Sequence, residues 1–170
     1  AIQRAFAEFL FDYNSLLFHG SAIAADGDGY LFTAHGGTGK STHTRLWREQ
    51  FGNRAVMVND DKPFLELTGN GVILHGSPWS GKTPCYKNES YPIRAIVRLS
   101  QAPHNKMYRL SKLQAIGALL PSLPPAFAFD DKLEDAVMNV LSAVVSNVPV
   151  YHLECLPDAE AAQLSHDTIC

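Results

Sequence analysis

Apolar residues recur along this chain with two periods, and the switches between them mark the predicted elements. Ile2, Phe6, Phe9, Leu10 and Tyr13 stand three and four apart, which predicts one helix face over residues 1–13. Residues 16–24 form a short apolar run and predict a strand. Residues 30–33, Tyr-Leu-Phe-Thr, predict a second. Asp26-Gly27-Asp28-Gly29 lies between them and has the composition of a hairpin turn. Leu46, Trp47 and Phe51 restore helical spacing and predict a helix over 42–51. Ala55-Val56-Met57-Val58 is a buried-type strand that runs into Asn59-Asp60-Asp61. Residues 64–76 alternate, turn at Gly69-Asn70-Gly71 and return, as a hairpin does. Residues 91–99 predict a strand and 101–106 a loop. Helices are expected over 110–120 and from Asp130 or Asp131 to about Val144. Residues 148–154 predict a late strand near the edge of the sheet, because Pro149 cannot donate to a ladder. A last amphipathic segment runs from Asp158 toward His166. Strands alternating with helices give an α/β fold, a mixed sheet with flanking helices, in a single domain over 1–170.

One junction in this pattern carries chemistry. Between the strand 30–33 and the helix 42–51 lies Ala34-His35-Gly36-Gly37-Thr38-Gly39-Lys40-Ser41, followed by Thr42. Strand, glycine-rich loop, Lys-Ser and helix make the context of a phosphate-binding loop. Such a loop turns successive backbone N–H groups into one concavity at the positive end of a helix dipole. Lys40 would reach the β- and γ-phosphates, and the Ser41 hydroxyl would face Mg²⁺. The full signature, G-x-x-x-x-G-K-[ST], wants glycine at position 34, where this chain has Ala34. The plainer reading is a glycine-rich turn that leads into a helix.

Asp60 and Asp61 end a strand after an interval just long enough for one helix and one return strand. That brings them toward the loop, at the strand edge where open α/β sheets bind ligands. Neighbouring residues point to opposite faces of a strand. One acid is therefore expected to hold Mg²⁺ and the other to orient or deprotonate an attacking hydroxyl. Ser41 and Asp61 are the candidate metal residues, with the choice of base between Asp60 and Asp61 open. His19, on the strand beside the loop strand, is either near the terminal phosphate or a structural histidine. Residues 77–85 hold Trp79 and Lys82 in a Pro- and Gly-rich loop, so Trp79 could line a pocket and Lys82 could meet phosphate. Arg94 is a further candidate and equally a surface arginine.

Composition narrows the partners. A net charge of −3 without a basic run gives no support for nucleic-acid binding. No apolar run reaches the roughly 18 residues of a membrane span. Cys85, Cys155 and Cys170 are odd in number and lack C-x-x-C spacing, as expected of reduced thiols in the cytoplasm. The histidines show no metal-ligand spacing, and only His43, beside the loop, is of interest.

His19-Gly20, G-G-T-G-K-S-T over 36–42 and N-D-D over 59–61 together resemble the HPr kinase/phosphorylase and phosphoenolpyruvate carboxykinase superfamily. The resemblance spans residues 15–61. Residues 76–82 and 92–99 resemble bacterial proteins described as HPr-kinase-like, which tend to carry an extra N-terminal region. A longer parent protein is therefore expected, and a homo-oligomer is possible by the same resemblance. It implies that Lys40 contacts the phosphates, that Ser41 or Thr42 helps to hold the metal, that Asp60 and Asp61 divide base and metal duties, and that His19 lies near the transferred phosphoryl group. The chain lacks the glycine-rich segment that HPr kinases carry after their paired aspartates, and it lacks an oxaloacetate-binding arginine set. Neither HPr as acceptor nor carboxykinase activity is implied.

The expected function is an ATP- and Mg²⁺-dependent kinase acting on a hydroxyl of a protein, peptide or small molecule. Gly36, Gly37, Thr38, Gly39, Lys40, Ser41 and Thr42 would bind the nucleotide, with GTP and pyrophosphate as alternative donors. Asp60, Asp61, His19 and Lys40 are the expected catalytic residues. The alternatives are a phosphorylase or phosphohydrolase of the same fold, and a nucleotide-binding sensor without catalysis.

Overall fold

The computed structural model describes residues 13–34, 39–77, 89–123 and 131–170, with backbone only at 131–133. The predicted helix over 1–13 thus falls outside the described residues, apart from Tyr13. Nine strands form one sheet: β1 (Ser15–Leu17), β2 (Ser21–Ala25), β3 (Asp28–Thr33), β4 (Ala55–Asn59), β5 (Phe64–Thr68), β6 (Gly71–His75), β7 (Ser90–Gln101), β8 (Lys106–Arg109) and β9 (Val150–Cys155). Four α-helices accompany them among the described residues: α1 (Lys40–Phe51), α2 (Lys112–Leu119), α3 (Asp131–Asn147) and α4 (Ala159–Ile169).

The long strand β7 joins the parts. Its first residues pair antiparallel with β6, at the end of the run β1-β5-β6. Further along, β7 pairs parallel with β3 and with β9. Beyond β3 come β2 and then β4, both pairings antiparallel. β3, β4, β7 and β9 therefore all end at one edge of the sheet, and antiparallel β2 begins there.

Alternation along the strands divides the core in two, as period-2 side chains must. Ile23, Tyr30, Phe32, Met57, Val97 and Leu99 pack toward Trp47 of α1 and Ala162 and Ile169 of α4. Their neighbours Ala22, Ala24, Leu31, Val58 and Ile96 pack toward Leu119 of α2 and Leu141 and Val144 of α3. Trp47 is fully buried, with Tyr30, Phe32 and Phe51 rings at 5.4, 5.5 and 5.7 Å.

Several expectations hold. The Asp26-Gly27 turn has φ of 52° and 89°. Two successive positive values are the mark of a two-residue hairpin turn whose twist matches its strands. The hairpin over 64–76 forms, with Phe64 opposite His75 and Thr68 opposite Gly71. Helix α4 starts at Asp158, whose carboxylate accepts from Ala161 N at 2.9 Å.

Two expectations need correction. Residues 16–24 are not one strand, because the chain changes partners there: β1 pairs with β5, whereas β2 pairs with β3 and β4. In the break, the N–H groups of Phe18, His19 and Gly20 donate to the carbonyls of Pro63, Ser122 and Asp61. His19 therefore sits in the connecting stretch and not on a strand. Strand β9 does lie near the edge, as expected: it pairs with β7 on one side and with the outermost strand β8 on the other. Pro149 precedes its first residue and serves only as an acceptor, from Ile96 N. The predicted loop over 101–106 is shorter than expected, since β7 runs to Gln101 and β8 begins at Lys106.

Candidate functional site

The site is assembled where the strand ends meet the start of α1. Gly39 has φ 95° immediately before the helix, a conformation that favours glycine. The first helical bond runs from His43 N to Gly39 O at 2.9 Å. The preceding N–H groups of a helix have no partner within it. The first turn contains no acidic residue, so its positive end is not neutralised locally.

Asp60 lies just past β4 and is 7% exposed. Its Oδ1 accepts from Ser41 Oγ at 2.9 Å and from Ser21 Oγ at 2.7 Å. Ser21 Oγ also lies 2.9 Å from Thr44 Oγ1. With the Ser21 proton directed to the carboxylate, Thr44 is the donor of that bond, giving a chain Thr44 to Ser21 to Asp60. Asp60 Oδ2, in contrast, is buried with no hydrogen-bond partner among the described residues. A buried carboxylate oxygen left bare is costly unless something charged or polar completes it.

Asp61 faces away from this cluster, toward His19 Nε2 at 3.6 Å and Lys62 Nζ at 4.0 Å. His19 is about half exposed, at 45%. Burial and the nearby charges of Lys62 and Lys40 hold its pKa below the usual imidazole value, against the opposing pull of Asp61. Lys40 is also lowered, by burial first and by Lys62 second, with Asp60 and Asp61 opposing. Two ammonium groups, two carboxylates and an imidazole thus act on one another in one small region.

Asn59 fixes this arrangement. It is fully buried, and its Oδ1 accepts from the N–H of Asp61 and of Lys62, each at 2.9 Å. Its Nδ2 donates to Ser77 O at 3.2 Å. One side chain therefore sets the turn that presents Asp61 and Lys62 and ties it to the chain after β6. Gly20 is needed for closeness. A Cβ there would lie 2.8 Å from Phe32 O and 2.9 Å from Leu31 Cδ1.

A solved structure has this fold. The HPr(Ser) kinase/phosphatase from Coxiella burnetii matches with a TM-score of 0.51, over 89% of this chain and 86% of its own. The two sequences are 12% identical, so the likeness is one of fold. No protein-family model matches the chain, and no curated protein matches it in sequence. The kinase/phosphatase shares with this chain a mixed α/β architecture, in which the site above is placed by β2, β3, β4 and α1.

Of the residues expected from sequence, Gly39, Lys40, Ser41, Asp60, Asp61 and His19 come together. Thr42 is on the first turn of α1, with its neighbour His43 turned inward. His43 Nε2 lies 2.8 Å from Ser165 Oγ, which also accepts from Trp47 Nε1 at 2.8 Å and donates to Ala162 O at 3.1 Å. The Ser165 proton is thereby committed, so His43 Nε2 carries a hydrogen and the ring docks α1 on α4. Ser41 meets Asp60 and not Asp61, its expected companion at the metal. Arg94 is not brought to the site. It is exposed, bonded to Asp28 at 3.2 Å, near the far end of β3 from the loop. Gly36, Gly37, Thr38, Trp79 and Lys82 lie outside the described residues.

Ser21 and Lys62 are not singled out by the sequence, and Asn59 enters there only as the first residue of the N-D-D triplet, without a role. Lys62 adjoins the acids and was the most findable. Ser21 is legible only from the pairing of β2 between β3 and β4, which brings it opposite Phe32 and near Asn59.

Among the described residues no helix is long and apolar enough to cross a membrane.

Proposed function

We propose that this protein is an ATP- and Mg²⁺-dependent phosphotransferase that moves the γ-phosphoryl group to a hydroxyl of an acceptor. One observation carries the reading. The buried Ser21 hydroxyl and the half-buried Ser41 hydroxyl converge on Asp60 Oδ1 and leave the buried Oδ2 without a partner among the described residues, beside Lys40 and an un-neutralised helix start. That is the donor set expected of a hard cation paired with phosphate. Ser41 and Asp60 would hold Mg²⁺, which would supply positive charge against the phosphates. In this reading Asp60 takes the metal duty that the sequence had given to Asp61.

The remaining groups divide the other tasks. Backbone N–H groups from Gly39 onward and the Lys40 ammonium bind the phosphates, and Lys62 adds a second cation on the acceptor side. Asp61 accepts the proton of the incoming hydroxyl, and neutral His19 beside it orients that hydroxyl. Both are accessible enough to meet an acceptor. Likeness to the fold of a kinase/phosphatase supports an enzyme of this class.

Calorimetric titration with Mg-ATP, Mg-GTP and Mg-pyrophosphate tests the reading in the wild type and in Lys40→Ala. Loss of a charge-assisted contact should weaken binding by at least about tenfold. Unchanged affinity in the variant would remove the phosphate-loop reading. Transfer of labelled phosphate to an acceptor separates the kinase from its alternatives: release of inorganic phosphate alone identifies a phosphohydrolase, and binding without turnover a sensor.

A further inference from the structure

A second cluster of chemistry-bearing side chains stands on β5, β6 and β7, strands other than those that place the phosphate site. The register puts it together. His75 lies opposite Ser90, so both project from the same face of the sheet. On its other side His75 lies opposite Phe64, and Glu66 follows two residues later on that strand, which returns it to the same face. A carboxylate, an imidazole and a hydroxyl from three neighbouring strands therefore meet in one row.

The row is joined by hydrogen bonds. His75 Nε2 lies 3.0 Å from Glu66 Oε1, and His75 Nδ1 lies 2.6 Å from Ser90 Oγ. An ionised carboxylate can only accept, so the neutral ring carries its hydrogen on Nε2. Nδ1 is then a lone pair, and Ser90 is the donor of its bond. The ring is also held from its face, stacked on Phe64 with centroids 4.7 Å apart and planes at 13°. Past this pair, Gly76 N donates to Glu89 O at 3.2 Å, which pins the start of β7 beside the end of β6.

The direction of these bonds is the informative part. Polar side chains on a wet sheet face can bond to water and need no common direction. Here the hydroxyl donates to the imidazole and the imidazole donates to the carboxylate. That is the order by which a serine is activated: a base takes its proton, and a third group orients the base. Accessibility suits the same roles. Ser90 is exposed to an incoming molecule, while the His75 side chain is 22% exposed behind it.

We infer that Ser90 is an activated nucleophile that accepts an acyl group from an activated ester. Ser90 Oγ attacks the ester carbonyl carbon as its proton passes to His75 Nδ1. A bond forms between Oγ and that carbon, and the bond from the carbon to the leaving oxygen breaks. The leaving group departs with the electron pair, and the imidazolium gives its proton to solvent. Glu66 is a positioning residue, which holds the tautomer and faces the imidazolium with a negative charge. The product is an acyl-serine. The step uses neither nucleotide nor metal, so it stands or falls apart from the phosphate-loop reading.

The probe is p-nitrophenyl acetate, with the acetylated residues located and timed by peptide mass mapping. Ser90 should be acetylated at least about a hundredfold faster than Ser146, an exposed serine bonded only within its own helix. His75→Ala should slow labelling of Ser90 by at least about a hundredfold. Glu66→Gln should slow it by at least about tenfold, and Glu66→Asp, which keeps the charge, should recover part of that loss. Thermal melts verify that the variants fold. In urea the wild type should lose its preference for Ser90, a comparison that needs no variant. Labelling of Ser90 no faster than of Ser146, an unchanged rate in folded His75→Ala or Glu66→Gln, or a preference that survives unfolding would each overturn the inference.

Discussion

Replacing Ser21 by Ala removes one hydroxyl from a position that no ligand needs to touch. Ser21 is fully buried, and its Oγ donates to Asp60 Oδ1 at 2.7 Å. Thr44 also loses an acceptor, but it retains the carbonyls of Lys40 and Ser41, each at 3.2 Å. The cost is therefore mainly one hydrogen bond to a charged group, about 1.5–3 kcal/mol. For a domain of this size that lowers Tm by about 5 °C or more. Thermal and urea unfolding read the loss directly. Ser146→Ala is the control. Its hydroxyl is exposed and bonds only to Ser142 O of its own helix. That change should stay within about 0.5 kcal/mol. In a double-mutant cycle, Ser21→Ala and Asp60→Asn should couple by about 1 kcal/mol or more. With Asp60 held by Ser41 alone, magnesium-dependent ATP binding should weaken as well. Equal melting of Ser21→Ala and wild type, or simple additivity in the cycle, would refute the account of Asp60 as a carboxylate oriented by two hydroxyls.

Other predictions address the supporting structure. Burial lowers the His43 pKa to about 4, from an ordinary value of 6.5. The folded state thus binds fewer protons than the unfolded chain between those values. Stability should be full above pH 6.5 and should decline by about 3 kcal/mol as the pH falls toward 4. Urea unfolding across that range reads the decline. His43→Gln, which keeps a donor for Ser165, should flatten it, and an equal decline in the variant would place its source elsewhere. Asp61→Asn should reduce phosphate transfer by at least about a hundredfold while ATP affinity changes little, as befits a proton acceptor; equal loss of binding and turnover would contradict that role. Gly20→Ala should cost about 1–3 kcal/mol in unfolding assays, because its Cβ would press on the Phe32 carbonyl.

The elements that depend on neighbours in sequence were the legible ones. The Asp26-Gly27 turn, the 64–76 hairpin and helices α1 and α4 follow from local chemistry. The order loop, helix, return strand and acids was enough to bring Lys40, Ser41, Asp60 and Asp61 into one region. What sequence did not reveal was partnership. The break at 18–20 exists because β1 and β2 belong to different neighbours, and no period in 16–24 records that. Pro149 pointed to the neighbourhood of the edge because its missing donor is a local fact, whereas β8 as the outermost strand depends on distant pairing. The Ser41-Asp60 pairing depends on which face the residue after β4 turns toward α1. Alternation states that Asp60 and Asp61 part company, but not which goes where. Arg94 adjoined a clear strand, but it lies near the beginning of β7, and the site is at the other end.

Strand β7 has a consequence for how the molecule comes apart and how it is made. It is the one strand shared by the β1-β5-β6 run and the strands that carry the site. Its parallel partners are remote along the chain: β3 ends at Thr33 before β7 begins at Ser90, and β9 begins only at Val150. Such pairings close long loops before they gain any contacts, so folding should be slow for a chain of this length. Once formed, neither part can open at β7 without exposing the other. The amides of Ile96 and Val97 should therefore exchange with solvent hydrogen only through global unfolding, at a common rate. The geometry that holds Lys40, Ser41 and the acids at the end of β3 is then as durable as the whole fold.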